Sequence, residues 1–217
     1  MAIAFVNATS ADELATNPFT VTLSMTTGNM GIVVVSIRPA TGTDPTVSTI
    51  TDTGGSTWAF RAALSEGTGV VRSELWSTGA TGLVGNPTSV TVTLTAAPAT
   101  GTTVSVAQYS GVVALGITAT NSGNSATPSV ALTTQDANNW VVAGFAVRSH
   151  GAITAGTGNL RTSIVALSDS CALNDNTAAS ASSVSNLINV AGANVWSATA
   201  LELRSTSGGA AAVLNSL

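Results

Sequence analysis

Gly31-Ile32-Val33-Val34-Val35-Ser36-Ile37 is the stretch that decides the fold class of this 217-residue chain. It is apolar and β-branched almost throughout and shows no polar stripe of helical period. A central strand covered on both faces has this composition. Outward from it, Thr20-Val21-Thr22-Leu23-Ser24-Met25 and Ser89-Val90-Thr91-Val92-Thr93-Leu94-Thr95 alternate polar with apolar residues, as half-buried strands do. Thr102 to Tyr109, Trp140 to Val147, Ser163 to Leu167 and Ala198 to Leu203 continue the series, and Ile3 to Val6 reads as a first strand. Between the runs lie turn clusters such as Asp52-Thr53-Gly54-Gly55 and Asn121-Ser122-Gly123-Asn124. About a dozen strands at roughly 8–12-residue spacing predict an all-β fold, a two-sheet β-sandwich of jelly-roll type. One domain is expected over residues 1–205, with a short irregular tail over 206–217. The segment Leu173 to Asn194 is the least regular, and Ala178 to Ser185 reads as a loop or a short helix.

An internal echo runs through the chain. Pro18, Asn29 and Arg38 are matched by Pro128, Asn139 and Arg148, each 110 residues later, and Ile32-Val33-Val34 falls in register with Val142-Ala143-Gly144. Two readings are open: hairpins of one sheet resemble each other by physics alone, or the chain consists of two related halves. The second reading predicts the two hairpins in equivalent positions.

Composition excludes several functions. Charged residues are only 7% and apolar ones 44%, which is not the balance of a disordered chain. The net charge is -4 and there is no lysine, so a nucleic-acid backbone is not the partner. No window approaches the ~18 apolar residues of a membrane helix. The N-terminus has no basic region before its short apolar stretch and does not read as a secretory signal. Cys171 is the sole cysteine, so no internal disulfide framework is available.

Catalytic constellations are poorly supplied. His150, the sole imidazole, sits at a strand end, and Cys171 has no neighbouring His or Lys, which favours a buried, inert thiol. The acids are scattered; Glu66 and Glu74, flanking a hairpin, are the least poor pair for glycoside hydrolysis. Asp169, Asn174, Asp175 and Asn176 could offer oxygens to a hard cation, but their spacing matches no EF-hand and a loop cap is the simpler role. No enzyme, no cofactor and no metal is therefore expected. Carbohydrate binding rests on Trp58, Trp76, Trp140 and Trp196, each in or beside a strand, where core packing is the ordinary role. Arg72, Glu74 and Trp76 fall at strand period 2 on one face; if that face meets solvent, they form a glycan or partner contact.

Val47-Ser48-Thr49-Ile50-Thr51-Asp52 running into Gly54-Gly55-Ser56-Thr57-Trp58, Val71-Arg72-Ser73-Glu74-Leu75-Trp76, Val106-Ala107-Gln108-Tyr109-Ser110-Gly111-Val112 and Ala198-Thr199-Ala200-Leu201-Glu202-Leu203-Arg204 belong together. Across most of residues 18–205 the chain resembles a jelly-roll-like β-sandwich domain of phage structural proteins and large bacterial surface proteins. That family often carries an acid where Gln108 stands. The resemblance implies a non-enzymatic building block, either decorative, tail-associated or adhesive. Without a signal, the virion version assembled in the host cytoplasm is favoured over the secreted one. The expected function is a capsid decoration or cement protein of a bacteriophage, with a major capsid protein and further copies of itself (a homo-oligomer) as partners. The alternative is a glycan-binding host-adhesion module. Ile3 and Phe5 at one end and Val213, Leu214 and Leu217 at the other are the expected assembly contacts, able to add to a neighbour's sheet.

Overall fold

The computed structural model describes residues 1–13, 16–38, 45–66, 70–79, 81–97, 101–148, 151–166 and 169–205. The first eight strands are β1 (Ala4–Glu13), β2 (Phe19–Thr22), β3 (Met30–Ile37), β4 (Val47–Asp52), β5 (Trp58–Ser65), β6 (Arg72–Thr78), β7 (Ser89–Leu94) and β8 (Thr102–Ser110). Eight more follow: β9 (Ala114–Ser125), β10 (Ser129–Thr133), β11 (Trp140–Val147), β12 (Ile153–Thr157), β13 (Asn159–Val165), β14 (Ser170–Thr177), β15 (Ser183–Val190) and β16 (Asn194–Arg204). No helix occurs among the described residues. The fold is an all-β sandwich, as the alternation and β-branched runs predict.

It contains four antiparallel sheets, not two. A five-stranded sheet β1-β8-β3-β6-β5 is backed by a three-stranded sheet β2-β7-β4. A second five-stranded sheet, β13-β14-β11-β16-β9, is backed by β10-β15-β12. Advancing every strand of the first set by eight reproduces the second set, order for order. The echo in the sequence therefore marks two halves of one topology, with β2–β3 and β10–β11 in equivalent places.

Three buried clusters hold the layers together. Val33, Val35, Val90, Val92 and Val106 fill the first half between its large and small sheets. Ala143, Phe145, Val184, Ile188 and Val190 do the same in the second. The third cluster, with Ile32, Val34, Leu75, Val142, Leu173 and Leu201, lies between the two five-stranded sheets. This seam explains the continuous apolar run of β3: all eight of its residues are buried because one face meets the small sheet and the other meets the opposite half. Each fully buried Val or Ile contributes roughly 1.5–3 kcal/mol of transfer free energy.

The halves approach closely where equivalent residues meet. Val34 and Gly144 stand 110 residues apart, and a Cβ placed on Gly144 would lie 2.4 Å from a Val34 methyl. Only glycine lets the second backbone come this near. Around them, Ser73 Oγ lies 3.1 Å from Thr199 Oγ1 and donates to Gly144 O at 3.4 Å. In the equivalent place Cys171 Sγ donates to Val34 O at 3.8 Å and shares a hydrogen bond with Ser105.

The irregular segment is ordered differently from expectation. Residues 173–177 close the buried strand β14, and Ser183–Val190 is the strand β15, whose inward positions are Val184, Asn186, Ile188 and Val190. Buried asparagines at inward positions disguised both strands. The tail over 206–217, including Val213, Leu214 and Leu217, lies outside the described residues, as does His150.

Candidate functional site

Strand period brings Arg72, Glu74 and Trp76 together as expected. Arg72 Nε donates to Glu74 Oε1 at 2.7 Å, and Trp76 Nε1 donates to Glu74 Oε2 at 3.1 Å. Glu74 Oε1 also accepts from Val47 N at 3.3 Å, and Arg72 Nη1 reaches Ser65 Oγ at 3.2 Å. Glu74 is buried, whereas Arg72 and Trp76 are half-buried. Phe60, on the neighbouring edge strand, is exposed and meets Trp76 edge-to-face with ring centroids 5.6 Å apart. The result is an aromatic corner whose carboxylate is satisfied on both oxygens within the protein. A partner there would meet rings and a guanidinium, not a free acid.

A second polar cluster sits at the end of the seam. Asp175, fully buried, accepts from Tyr109 Oη at 2.9 Å and Arg161 Nε at 2.6 Å on Oδ2, and from Asn159 Nδ2 at 3.4 Å on Oδ1. The Arg161 guanidinium lies 4.3 Å from the Phe5 ring centroid and 5.8 Å from that of Trp140, a cation–π arrangement. Tyr109 stacks edge-on against both rings. Burial first, then the Asp175 charge and hydrogen bond, hold the Tyr109 phenol protonated well above its ordinary range. Phe5 is therefore packed within its own chain, and Ile3 is buried in the seam cluster. β1 adds to its own sheet beside β8, leaving Ala4 and Val6 turned to solvent.

Beside Trp140 opens a cavity of about 370 Å³ lined by Ala2, Ile3, Asn138, Trp140, Thr177, Ala178 and Ala179. Asn138, exposed at its lip, has φ of 61°, a left-handed conformation tolerated better by Asn than by most residues. Among the described residues no other tryptophan leaves its indole N–H unpaired: Trp58 donates to Asp52, Trp76 to Glu74 and Trp196 to Ser125. No known family model, characterised protein or solved structure matches this chain. What it can do is therefore read from its own geometry.

The remaining sequence candidates are dispersed. Asn174 and Asp175 point to opposite faces of β14, so they cannot converge on one cation. Asn176 donates to Ser185 O, while Asp169 accepts from Ser36 and Thr103 across the seam. No group of three acids, Cys or His suited to a metal occurs among the described residues. The Cys171 thiol is fully buried, and burial pushes it up to about 12. Asp52 loses solvation by burial, which raises its carboxyl, but hydrogen bonds from Ser56, Trp58 and Gly54 outweigh this and lower it.

Two surface features were not read from the sequence. Glu74, Asp169, Asp175 and Glu202 are all buried, so much of the sparse charge lies inside. Arg148 is exposed, and the paired Arg204 and Asp136 are partly so. The second feature is β9, the longest strand and an edge of its sheet, which carries no charge and no proline along its twelve residues.

Proposed function

We propose that this chain is a non-enzymatic structural subunit of a virion, a decoration or cement protein that packs against copies of itself and against a capsid lattice. The free edge of β9 carries the reading. Sheet edges are ordinarily guarded by charges, bulges or short length. β1 holds Asp12 and Glu13, and β5 and β13 hold Arg61 and Arg161 at bulges. β9 is bulged only near Leu115–Thr118 and runs regularly from there to Ser125. A strand edge of Thr, Asn, Ser, Ala and Gly pairs with another chain at little desolvation or rotamer cost. The outward scarcity of charge favours close packing in the same way. Resemblance to phage structural domains supplies the virion setting, with assembly in the host cytoplasm.

The test is the mass of the purified protein in solution and on particles, for the wild type and for Thr118→Lys and Thr120→Lys. The expected result is an oligomer or particle-bound subunit that a lysine on this edge converts to a free monomer. A wild-type chain that stays monomeric at high micromolar concentration and never sediments with particles overturns the proposal.

A second reading, a carbohydrate-binding or host-adhesion module, is favoured by one observation. Trp76 and Trp140 are each half-exposed beside polar side chains, whereas Trp58 and Trp196 are buried. A glycan array without hits would leave the structural reading alone.

A further inference from the structure

Resting on the carbohydrate-binding reading above and locating its site, we infer that the cavity beside Trp140 binds a neutral saccharide, separate from the β9 edge and from the Arg72–Glu74–Trp76 corner. Its walls combine two surfaces that sugars need. Ala2, Ile3, Ala178 and Ala179 with the indole of Trp140 form an apolar wall suited to the C–H face of a pyranose. Three polar groups of the lining residues make no hydrogen bond among the described residues: the Trp140 N–H, the Asn138 carboxamide and the Thr177 hydroxyl, the last two on exposed residues. The Trp140 N–H is the telling one, because the other three tryptophans, including the equally half-exposed Trp76, all donate within the protein.

Backbone bonds hold these groups in place. Asn138 N donates to Ala178 O at 2.7 Å, and Ala178 N donates to Asn139 O at 3.0 Å, tying the start of β11 to the end of β14 beneath the cavity. Asn139 is itself buried and donates to Glu202 Oε1 at 2.7 Å. The floor is thus rigid, and Asn138 is carried at its rim in a fixed left-handed conformation.

Chemistry narrows the ligand class. No charged residue lines the cavity, and the nearby guanidinium of Arg161 is matched by Asp175. An ionic ligand would find no counter-charge, and a purely apolar one would strand the three polar groups. A volume of about 370 Å³ lies at the small end of ligand pockets, which suits one or two sugar rings.

The experiment titrates neutral disaccharides (maltose, cellobiose and lactose) and a neutral-glycan array against the full chain and three variants. Trp140→Phe keeps a ring without the N–H, Asn138→Gly keeps the left-handed backbone without the carboxamide, and Thr177→Val keeps shape without the hydroxyl. Binding weakened about three- to tenfold by each variant, the effect of one ordinary hydrogen bond, with unchanged circular dichroism, is the expected result. No neutral sugar binding at millimolar concentration overturns the inference. So does binding that all three variants leave intact, or a cavity that proves to hold a peptide segment, shown by variants that change oligomer mass and not sugar affinity. The Thr118→Lys and Thr120→Lys variants should bind sugar normally, which separates this site from the assembly proposal.

Discussion

The two halves share one strand order but solve the same polar problems with different charges. Gln108 pairs with Gly31 across β8 and β3, and Glu202 pairs with Val141 across β16 and β11, so they occupy one structural position. Each accepts at Oε1 from an equivalent asparagine, Asn29 at 2.8 Å in the first half and Asn139 at 2.7 Å in the second. Arg61 and Arg161 likewise sit at matching bulges. Arg61 Nε donates to the Ser77 hydroxyl at 2.7 Å, whereas Arg161 Nε meets the carboxylate of Asp175 at the corresponding position. The second half has placed buried acids where the first has neutral groups. Topology here tolerates either choice, because at each of these two positions the acceptor, charged or neutral, is met by a donor of its own half.

The strongest way to break the comparison is at the bulge arginines. Asp175→Ala leaves Arg161 and Tyr109 without their common acceptor and should cost about 3–5 kcal/mol, the usual cost of orphaning one member of a buried pair. Ser77→Ala in the first half removes only a neutral acceptor and should cost about 1 kcal/mol. Urea unfolding of both variants checks this; equal losses would show that the two arginine sites are energetically alike.

The seam gives the next effect. Gly144→Ala forces a methyl into the Val34 side chain and should cost about 1–3 kcal/mol by overpacking. Val34→Ala in the same chain should recover part of that loss, a favourable coupling of about 0.5–3 kcal/mol in a double-mutant cycle. Additive losses would mean that the two backbones adjust independently.

Alkaline pH sharpens the comparison at Ser73 and Cys171. The Cys171 thiol is raised from 9.0 to about 12 in the folded protein, and the Tyr109 phenol is raised too. Their contribution is complete below pH 9 and is lost as pH rises from 9 towards 12, because the unfolded chain ionises first. Cys171→Ser should cost less than about 1.5 kcal/mol at neutral pH, since Ser73 shows that the position accepts a hydroxyl. It should also reduce the alkaline slope by at most about 1.4 kcal/mol per pH unit. A slope unchanged in denaturant melts at pH 9 to 11 would count against a buried, protonated thiol.

Much of the fold was legible because its signals are local. β3 and β11 are continuous apolar runs, and β7 alternates cleanly. β14 and β15 were not legible, since Asn174, Asp175 and Asn186 are buried where a polar residue ordinarily signals a turn. The sheet count differs for a related reason: Ser73, Ser105 and Thr199 are polar yet sealed into the seam between the large sheets, so nothing in their residue type marks a second packed face. Arg72, Glu74 and Trp76 were placed together correctly because they share one strand. The cavity beside Trp140 draws Ala2, Asn138 and Thr177 from three distant stretches, and no spacing rule connects them.

The meeting of Val34 with Gly144 has a consequence for symmetry. A half expressed alone would present its seam face, with Ile32, Val34 and Leu75, to water, and two such halves would cover that face by pairing about a twofold axis. In such a homodimer the residue on the axis must be the same on both sides: two valines would collide, and two glycines would leave a void. Joining the halves through the short Gly111–Val113 connection removes that restriction, because each copy can then change without its twin. The connection also replaces protein concentration with a fixed local one. A bulky residue against none is a pairing open to a tandem chain and closed to a symmetric dimer of either half.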